Sequence, residues 1–296
     1  MALRTVKFTL NGQVYDLTDA GNGTWAATIT APSTTSYNAE SDHKYHGVVV
    51  ATDDAGNATT VTVEDFSSLG LRVLETVKPT ITVVSPTSGA YVINNNPTFT
   101  WDVTDSGSGI DISSISIKID NSSTPITSGI TTTAITGGYR CTYTPFGALA
   151  DGSHTIKYNV SDNDGNAAIE STITITIDTV APTLNVTSPT DNLVTNVGTV
   201  TVSGTTNDAT SSPVTVTVNG SAVTVGSGGA FSTTVTLNEG SNTITVVATD
   251  SAGKITTVVR TVYYDSGAPV ISAVTITPNP VNTGVSYTIT VTVSDS

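Results

Sequence analysis

A single cysteine, Cys141, in 296 residues excludes any intrachain disulfide, so packing alone must hold the chain together. Charge is scarce: 11% of residues are charged, and ten basic against 24 acidic residues leave a net charge of −14. A field of that sign repels phosphate backbones and anionic lipid, which excludes nucleic acid as a partner. No apolar run is long enough to cross a bilayer, which excludes insertion by a helix. Apolar residues nowhere recur at a 3.6-residue period, which excludes a helical fold. The opening MALRTVKFTLNG alternates straight into a strand, without the apolar block and cleavage site of a secretory leader. No cell-wall anchor or sorting tail is visible. The expected location is nevertheless extracellular or on a virion surface, reached by a route such as lysis.

What the chain has in abundance is threonine and valine, both suited to a pleated, half-buried surface. One strand–turn–strand signature recurs three times: VVVATDDAGNATTVTV from Val48, YNVSDNDGNAAIESTITITI from Tyr158, and VVATDSAGKITTVVRTVYY from Val246. Repetition of that kind predicts a series of similar β-domains. Other marks recur in order. A proline heads a leading strand at Pro79, Pro182 and Pro269, where its missing N–H costs no ladder bond. An alternating strand follows, as in Phe99, Trp101 and Val103 or Val200 and Val202. The next strand closes on a turn at Asn11-Gly12, Asp120-Asn121 or Asn219-Gly220, Asn-Gly being the strongest short hairpin signal. A Gly-flanked aromatic (Trp25, Tyr139, Phe231) opens the strand after that.

The three prolines are spaced 103 and 87 residues apart, room for about seven short strands each. The fold class predicted is therefore all-β, with tandem immunoglobulin-like sandwiches in an elongated array. Residues 77–178 and 179–265 form whole domains in this reading. Residues 1–76 lack the first two strands of a unit, and 266–296 hold only those two. Three explanations stand side by side. The last segment of one chain completes the first segment of another copy by strand complementation; the two ends meet within one chain; or the natural protein continues past these residues. Short proline-centred linkers favour a semi-rigid rod, with about 35–40 Å of reach per unit for strands of roughly ten residues.

Asp151-Gly-Ser-His-Thr-Ile156 followed by Ser161-Asp-Asn-Asp-Gly-Asn166, with its counterparts Asn238–Ile244 and Ala248–Gly253, resembles the bacterial immunoglobulin-like repeats of surface adhesins and of phage and prophage tail-associated proteins. The resemblance covers nearly the whole chain. It implies a non-enzymatic structural or adhesive part, with a phage tail-like particle as the first expectation and a bacterial cell-surface adhesin or stalk as the alternative. The ancillary domains of a secreted glycan-degrading enzyme form a third class.

The best chemical candidate is a calcium site in 77–178. Asp105 and Asp111 lie in the loop after the second strand, and Asp162 and Asp164 in the last hairpin. In an immunoglobulin-like sandwich those loops share one end, and carboxylates on glycine-rich loops suit a hard cation. The competing reading is turn chemistry, since Asp and Asn cap nearby N–H groups and recur as Asp53, Asp54 and Asp250 in the sister units. Apart from calcium no cofactor is expected. His43 and His46 are three apart without an evident third ligand and read as a solvated loop. His154 stands where the next repeat has Asn242 and reads as a hairpin residue. Cys141, Trp25 and Trp101 alternate with apolar residues and read as core, while Tyr45, Tyr263 and Tyr264 are contact candidates. No Ser–His–Asp order with elbow glycines, H-E-x-x-H or phosphate-cradling loop is present, so no enzyme is expected. The expected partners are other structural proteins, copies of the chain, or a host surface glycan or protein.

Overall fold

The computed structural model describes residues 2–295; Met1 and Ser296, the outermost positions of the expected segments 1–76 and 266–296, lie outside the described residues. The protein is all-β, its only helical pieces among the described residues being single 3-10 turns at Ser67–Leu69 and Ser227–Gly229. It divides into two compact units, Met1–Ile177 and Asp178–Ser296.

The first unit opens with β1 (Leu3–Leu10), β2 (Gln13–Gly21), β3 (Thr24–Ala26), β4 (Tyr45–His46), β5 (Val48–Asp53), β6 (Ala58–Val61) and β7 (Gly70–Leu71). Five of these form one sheet, β3-β2-β1-β5-β6, while β4 and β7 pair separately. Asn11 and Gly12 both take positive φ (49° and 73°), the geometry that lets β1 turn directly into β2. This part buries few large apolar side chains, namely Val6, Leu10 and Tyr45. Trp25, expected in a core, is only half-buried on the short edge strand β3.

A complete sandwich follows, built from β8 (Thr80–Ser85), β9 (Tyr91–Val92), β10 (Phe99–Thr104), β11 (Ile110–Ile119), β12 (Thr131–Ile135), β13 (Gly138–Tyr143), β14 (Gly152–Asp162) and β15 (Ser171–Ile177). Its sheets are β12-β13-β10-β8 and β11-β14-β15-β9. Period-two alternation decides the facing. In β10, Phe99, Trp101 and Val103 are wholly buried and their neighbours point outward. Across the β10–β13 ladder Trp101 pairs with Cys141 inside, while Asp102 pairs with Arg140 outside in a two-pronged ion pair at 2.8 Å. Burial, with a smaller effect from Asp102, pushes the Cys141 thiol up to about 12, so it behaves as a packing group. The Asp120-Asn121 turn, with only Asp120 at positive φ (57°), brings the chain back so that Ile126 bridges Ile117 in antiparallel fashion, while β11 pairs along its length with β14.

The second unit repeats the plan with β16 (Thr183–Ser188), β17 (Leu193–Thr195), β18 (Thr199–Asn207), β19 (Thr215–Val218), β20 (Ser221–Val223), β21 (Ala230–Thr236), β22 (Gly240–Thr249) and β23 (Ile255–Tyr264). The sheets are β16-β18-β21 and β17-β23-β22-β19-β20, closing on a core that includes Val202, Val216, Phe231, Ile244, Val246 and Val262. Gly204 is required by close approach: a Cβ there would lie 2.1 Å from the Asn185 carbonyl oxygen and 2.8 Å from the Phe231 ring. A final hairpin, β24 (Val270–Thr277) and β25 (Thr288–Ser294), pairs only with itself among the described residues and is exposed throughout.

Candidate functional site

Acidic side chains gather at one end of each sandwich. In the first unit Glu75, Asp105 and Asp162 each offer a carboxylate oxygen, all within 4.8 Å of one another. Glu75 lies four residues ahead of Pro79, Asp105 follows the last residue of β10, and Asp162 ends β14 where its hairpin begins. In the second unit Asp178, Asp208 and Asp250 converge in the same way. Asp178 lies four residues ahead of Pro182, Asp208 follows β18, and Asp250 follows β22. The three positions are equivalent in the two sandwiches.

Backbone donors hold both groups in place. Asp105 Oδ2 accepts the N–H groups of Gly107 and Gly109, each at 2.8 Å, and the Ser108 N–H donates to Glu75. Asp162 accepts the Asn166 N–H and side-chain amide at 2.8 Å. In the second unit Asp208 Oδ1 accepts the Thr210 and Ser211 N–H groups at 2.8 and 2.7 Å, the Ser211 hydroxyl donates to Asp178, and Asp250 Oδ1 accepts the Lys254 N–H at 2.8 Å. Asp105 Oδ1 and Asp250 Oδ2 are buried and have no hydrogen-bond partner. Clustered carboxylates on turns are the donor set that hard divalent cations take.

The four aspartates singled out from the sequence are placed differently from one another. Asp105 and Asp162 meet, joined by Glu75, which sequence reasoning missed. Asp111 accepts from the N–H and hydroxyl of its neighbour Ser113. The Asp164 side chain is wholly covered and accepts from Arg72, Thr35 and the Glu75 N–H. Burial alone would raise its pKa, but those three donors hold it below the ordinary carboxylate range. Two of the missed residues carried a signal, since Glu75 and Asp178 each stand four residues ahead of a leading proline, as Asp265 does ahead of Pro269; Asp208 carried none.

The histidines serve other ends. His43 stacks on Tyr37 with ring centroids 4.0 Å apart and faces the Tyr37 carbonyl, whereas His46 faces Asp42, so the two do not converge. His154 is buried with Nδ1 2.9 Å from Asp120 and Nε2 2.8 Å from the Ala150 carbonyl. Burial disfavours its charged form, yet these two acceptors outweigh it and hold its pKa above the ordinary value.

Two family models match separate stretches of the chain: that of the bacterial Ig domain over residues 79–157, and that of glucodextranase domain B over residues 182–266. Bacillopeptidase F of Bacillus subtilis (strain 168) is 36% identical over 124 residues, which is 42% of this chain and 8% of that protein. The chain thus corresponds to a small part of that relative's length. Among solved structures, the fibronectin(III)-like modules of Clostridium thermocellum CbhA align at 19% identity, over 63% of this chain and 94% of theirs, with a TM-score of 0.39. A three-Ig structure of titin aligns at 11% identity, over 88% of this chain and 87% of its own, with a TM-score of 0.40.

Proposed function

We propose that this chain of tandem immunoglobulin-like sandwiches is a non-enzymatic, tension-bearing spacer in an extracellular assembly. The observation that carries the reading is the parallel pairing at the margin of both sandwiches. Near the start of one, Tyr91 and Val92 pair in parallel with Thr176 and Ile177 of its last strand. In the other, Leu193, Val194 and Thr195 pair in parallel with Val262, Tyr263 and Tyr264. Pulling a sandwich by its two ends draws these strands in opposite directions along a common axis. All their ladder bonds are then loaded in shear together, whereas an antiparallel hairpin pulled at its two ends opens one bond at a time.

A phage tail-like particle is the assembly we favour. Its support is the pairing of Asp-x-x-Gly hairpins with short proline-led linkers that resembles tail-associated repeats. Immunogold labelling of cultures of the source bacterium tests this. Label on released tail-like particles supports it, and label on intact cell surfaces transfers the spacer to an adhesin or stalk. The matches to glucodextranase domain B and to a stretch of Bacillopeptidase F favour a second reading, a non-catalytic module attached to a secreted enzyme. Mass spectrometry of the culture medium that finds these peptides within one longer chain bearing a catalytic domain selects that reading.

The partner we propose is a second copy of the chain. Hairpin β24–β25 exposes Val270, Ile271, Val274, Ile276, Ile289, Val291 and Val293, while the sheet of β1 and β5 closes over a small core. The exposed apolar hairpin and the thinly covered sheet of β1 and β5 offer each other complementary surfaces. Light scattering that shows concentration-dependent association, lost in Ile276→Asp, supports complementation; a strict monomer at all concentrations refutes it.

A further inference from the structure

We infer that Asp178, Asp208 and Asp250 form a calcium-binding site, and that Glu75, Asp105 and Asp162 form its counterpart in the preceding sandwich. Asp178 is wholly buried, Asp208 is 8% exposed and Asp250 is 6% exposed. Among the described residues no lysine, arginine or histidine forms an ion pair with any of them. Three acidic groups enclosed together away from water, with no cationic side chain beside them, are a costly arrangement that a bound cation relieves. The N–H groups of Val180, Thr210, Ser211 and Lys254 and the Ser211 hydroxyl all donate to these carboxylates and fix their orientation.

A second observation points to a ligand directly. Asp250 spends Oδ1 on the Lys254 N–H, while its Oδ2 is buried with no donor to receive. In the other sandwich the part-buried Asp105, which stands at the position of Asp208, does likewise: Oδ2 takes two N–H groups and the buried Oδ1 takes none. Two equivalent clusters each leave a carboxylate oxygen without a donor, and a metal ion is the partner that an acceptor-only oxygen takes.

The distances and chemistry favour calcium. Two oxygens bound to one calcium at ~2.4 Å lie no more than about 4.8 Å apart, which the clusters satisfy. Every donor is oxygen, the set a hard cation prefers over zinc or copper. Magnesium needs a tighter octahedron and keeps its waters, which enclosed carboxylates fixed by backbone bonds accommodate poorly. In its own unit each ion joins the residue ahead of the first strand, the end of β10 or β18, and the last hairpin. Calcium therefore ties the start of the sandwich to its far-sequence strands.

The test is calorimetric titration of chelator-stripped full chain with calcium chloride, beside melting curves in calcium and in chelator. The expected result is two calcium ions per chain, one in Asp250→Asn, one in Asp105→Asn and none in the double variant. Melting of the wild-type chain should rise by at least about 10 °C at calcium a hundredfold above the dissociation constant. Asparagine keeps an oxygen for the N–H donors, so in chelator each variant should melt no lower than wild type, having lost a repelling charge. Absence of calcium uptake by the wild type overturns the inference. So does an Asp250→Asn melting point that falls equally in calcium and in chelator, which is what a purely turn-stabilising aspartate requires. Uptake of magnesium with equal affinity overturns the choice of calcium.

Discussion

Arg72 places Nη2 2.9 Å from Oδ1 of Asp164, whose other oxygen receives the Thr35 hydroxyl and the Glu75 N–H. One buried carboxylate thus fastens the segment that follows β7 to the last hairpin of the sandwich beyond it. Asp164→Ala removes three charge-assisted bonds and should destabilise this docking by ~2–3 kcal/mol. Limited proteolysis reads it directly: cleavage between residues 30 and 76 should accelerate while the β8–β15 sandwich stays intact.

The same carboxylate makes the docking sensitive to acid. Its folded pKa is depressed, so its contribution is present above the ordinary aspartate value of about 3.9 and is lost as pH falls through the folded value. His154 acts in the opposite direction. Both of its ring nitrogens face acceptors, and its folded pKa is raised. Its contribution is therefore full below about pH 6.5 and is lost as pH rises through the folded value. Melting of the first unit followed against pH should show this loss on the alkaline side. His154→Asn, the residue that the next repeat carries as Asn242, should flatten the profile there.

Tyr158 packs against Trp101 in the first core with ring centroids 5.0 Å apart, and its hydroxyl is buried without a partner. Burial pushes its pKa up. Removing an unsatisfied polar group without changing the ring's shape relieves a desolvation cost, so Tyr158→Phe should stabilise the unit by about 1 kcal/mol. Denaturant unfolding should show a higher midpoint with an unchanged slope.

Gly204 of β18 stands opposite Val186 of β16 and Phe231 of β21. Gly204→Ala forces a methyl into the Asn185 carbonyl and the Phe231 ring, and should cost roughly 1–3 kcal/mol. Circular dichroism melts of the full chain should show the loss in one of two transitions, the one assigned to the second unit.

The β-architecture was legible because it rests on local chemistry. Phe99, Trp101 and Val103 alternate in sequence as they do in space, and Asn11-Gly12 and Asn219-Gly220 turn their strands with positive φ at both residues. The Asp120-Asn121 turn also brings the chain back, but it yields only the bridge between Ile117 and Ile126 where Asn219-Gly220 yields the strand β20. Asp105 and Asp162 were found together because sandwich topology brings their loops to one end. Glu75 and Asp178 were missed because they lie in linkers, where a lone acid reads as a solvated residue. Only the fixed four-residue spacing to each leading proline sets them apart. Asp164 was assigned to the same cluster as Asp162, but whether neighbouring turn carboxylates face a common centre or diverge depends on the packed partner, here Arg72. Trp25 was read as core from alternation alone, yet β3 lies at a sheet edge where neither face is fully covered.

Single-molecule pulling of the full chain by its two ends tests the tension-bearing role most directly. The account predicts two cooperative ruptures, each releasing about 300 Å of contour from roughly 90–100 residues at ~3.6 Å less a folded span of ~40 Å. Both should occur at forces well above the opening of hairpin β24–β25 in the same traces, and Val194→Pro should weaken one of them alone. Sandwiches that yield at the hairpin's force, or that ignore the proline, would contradict it.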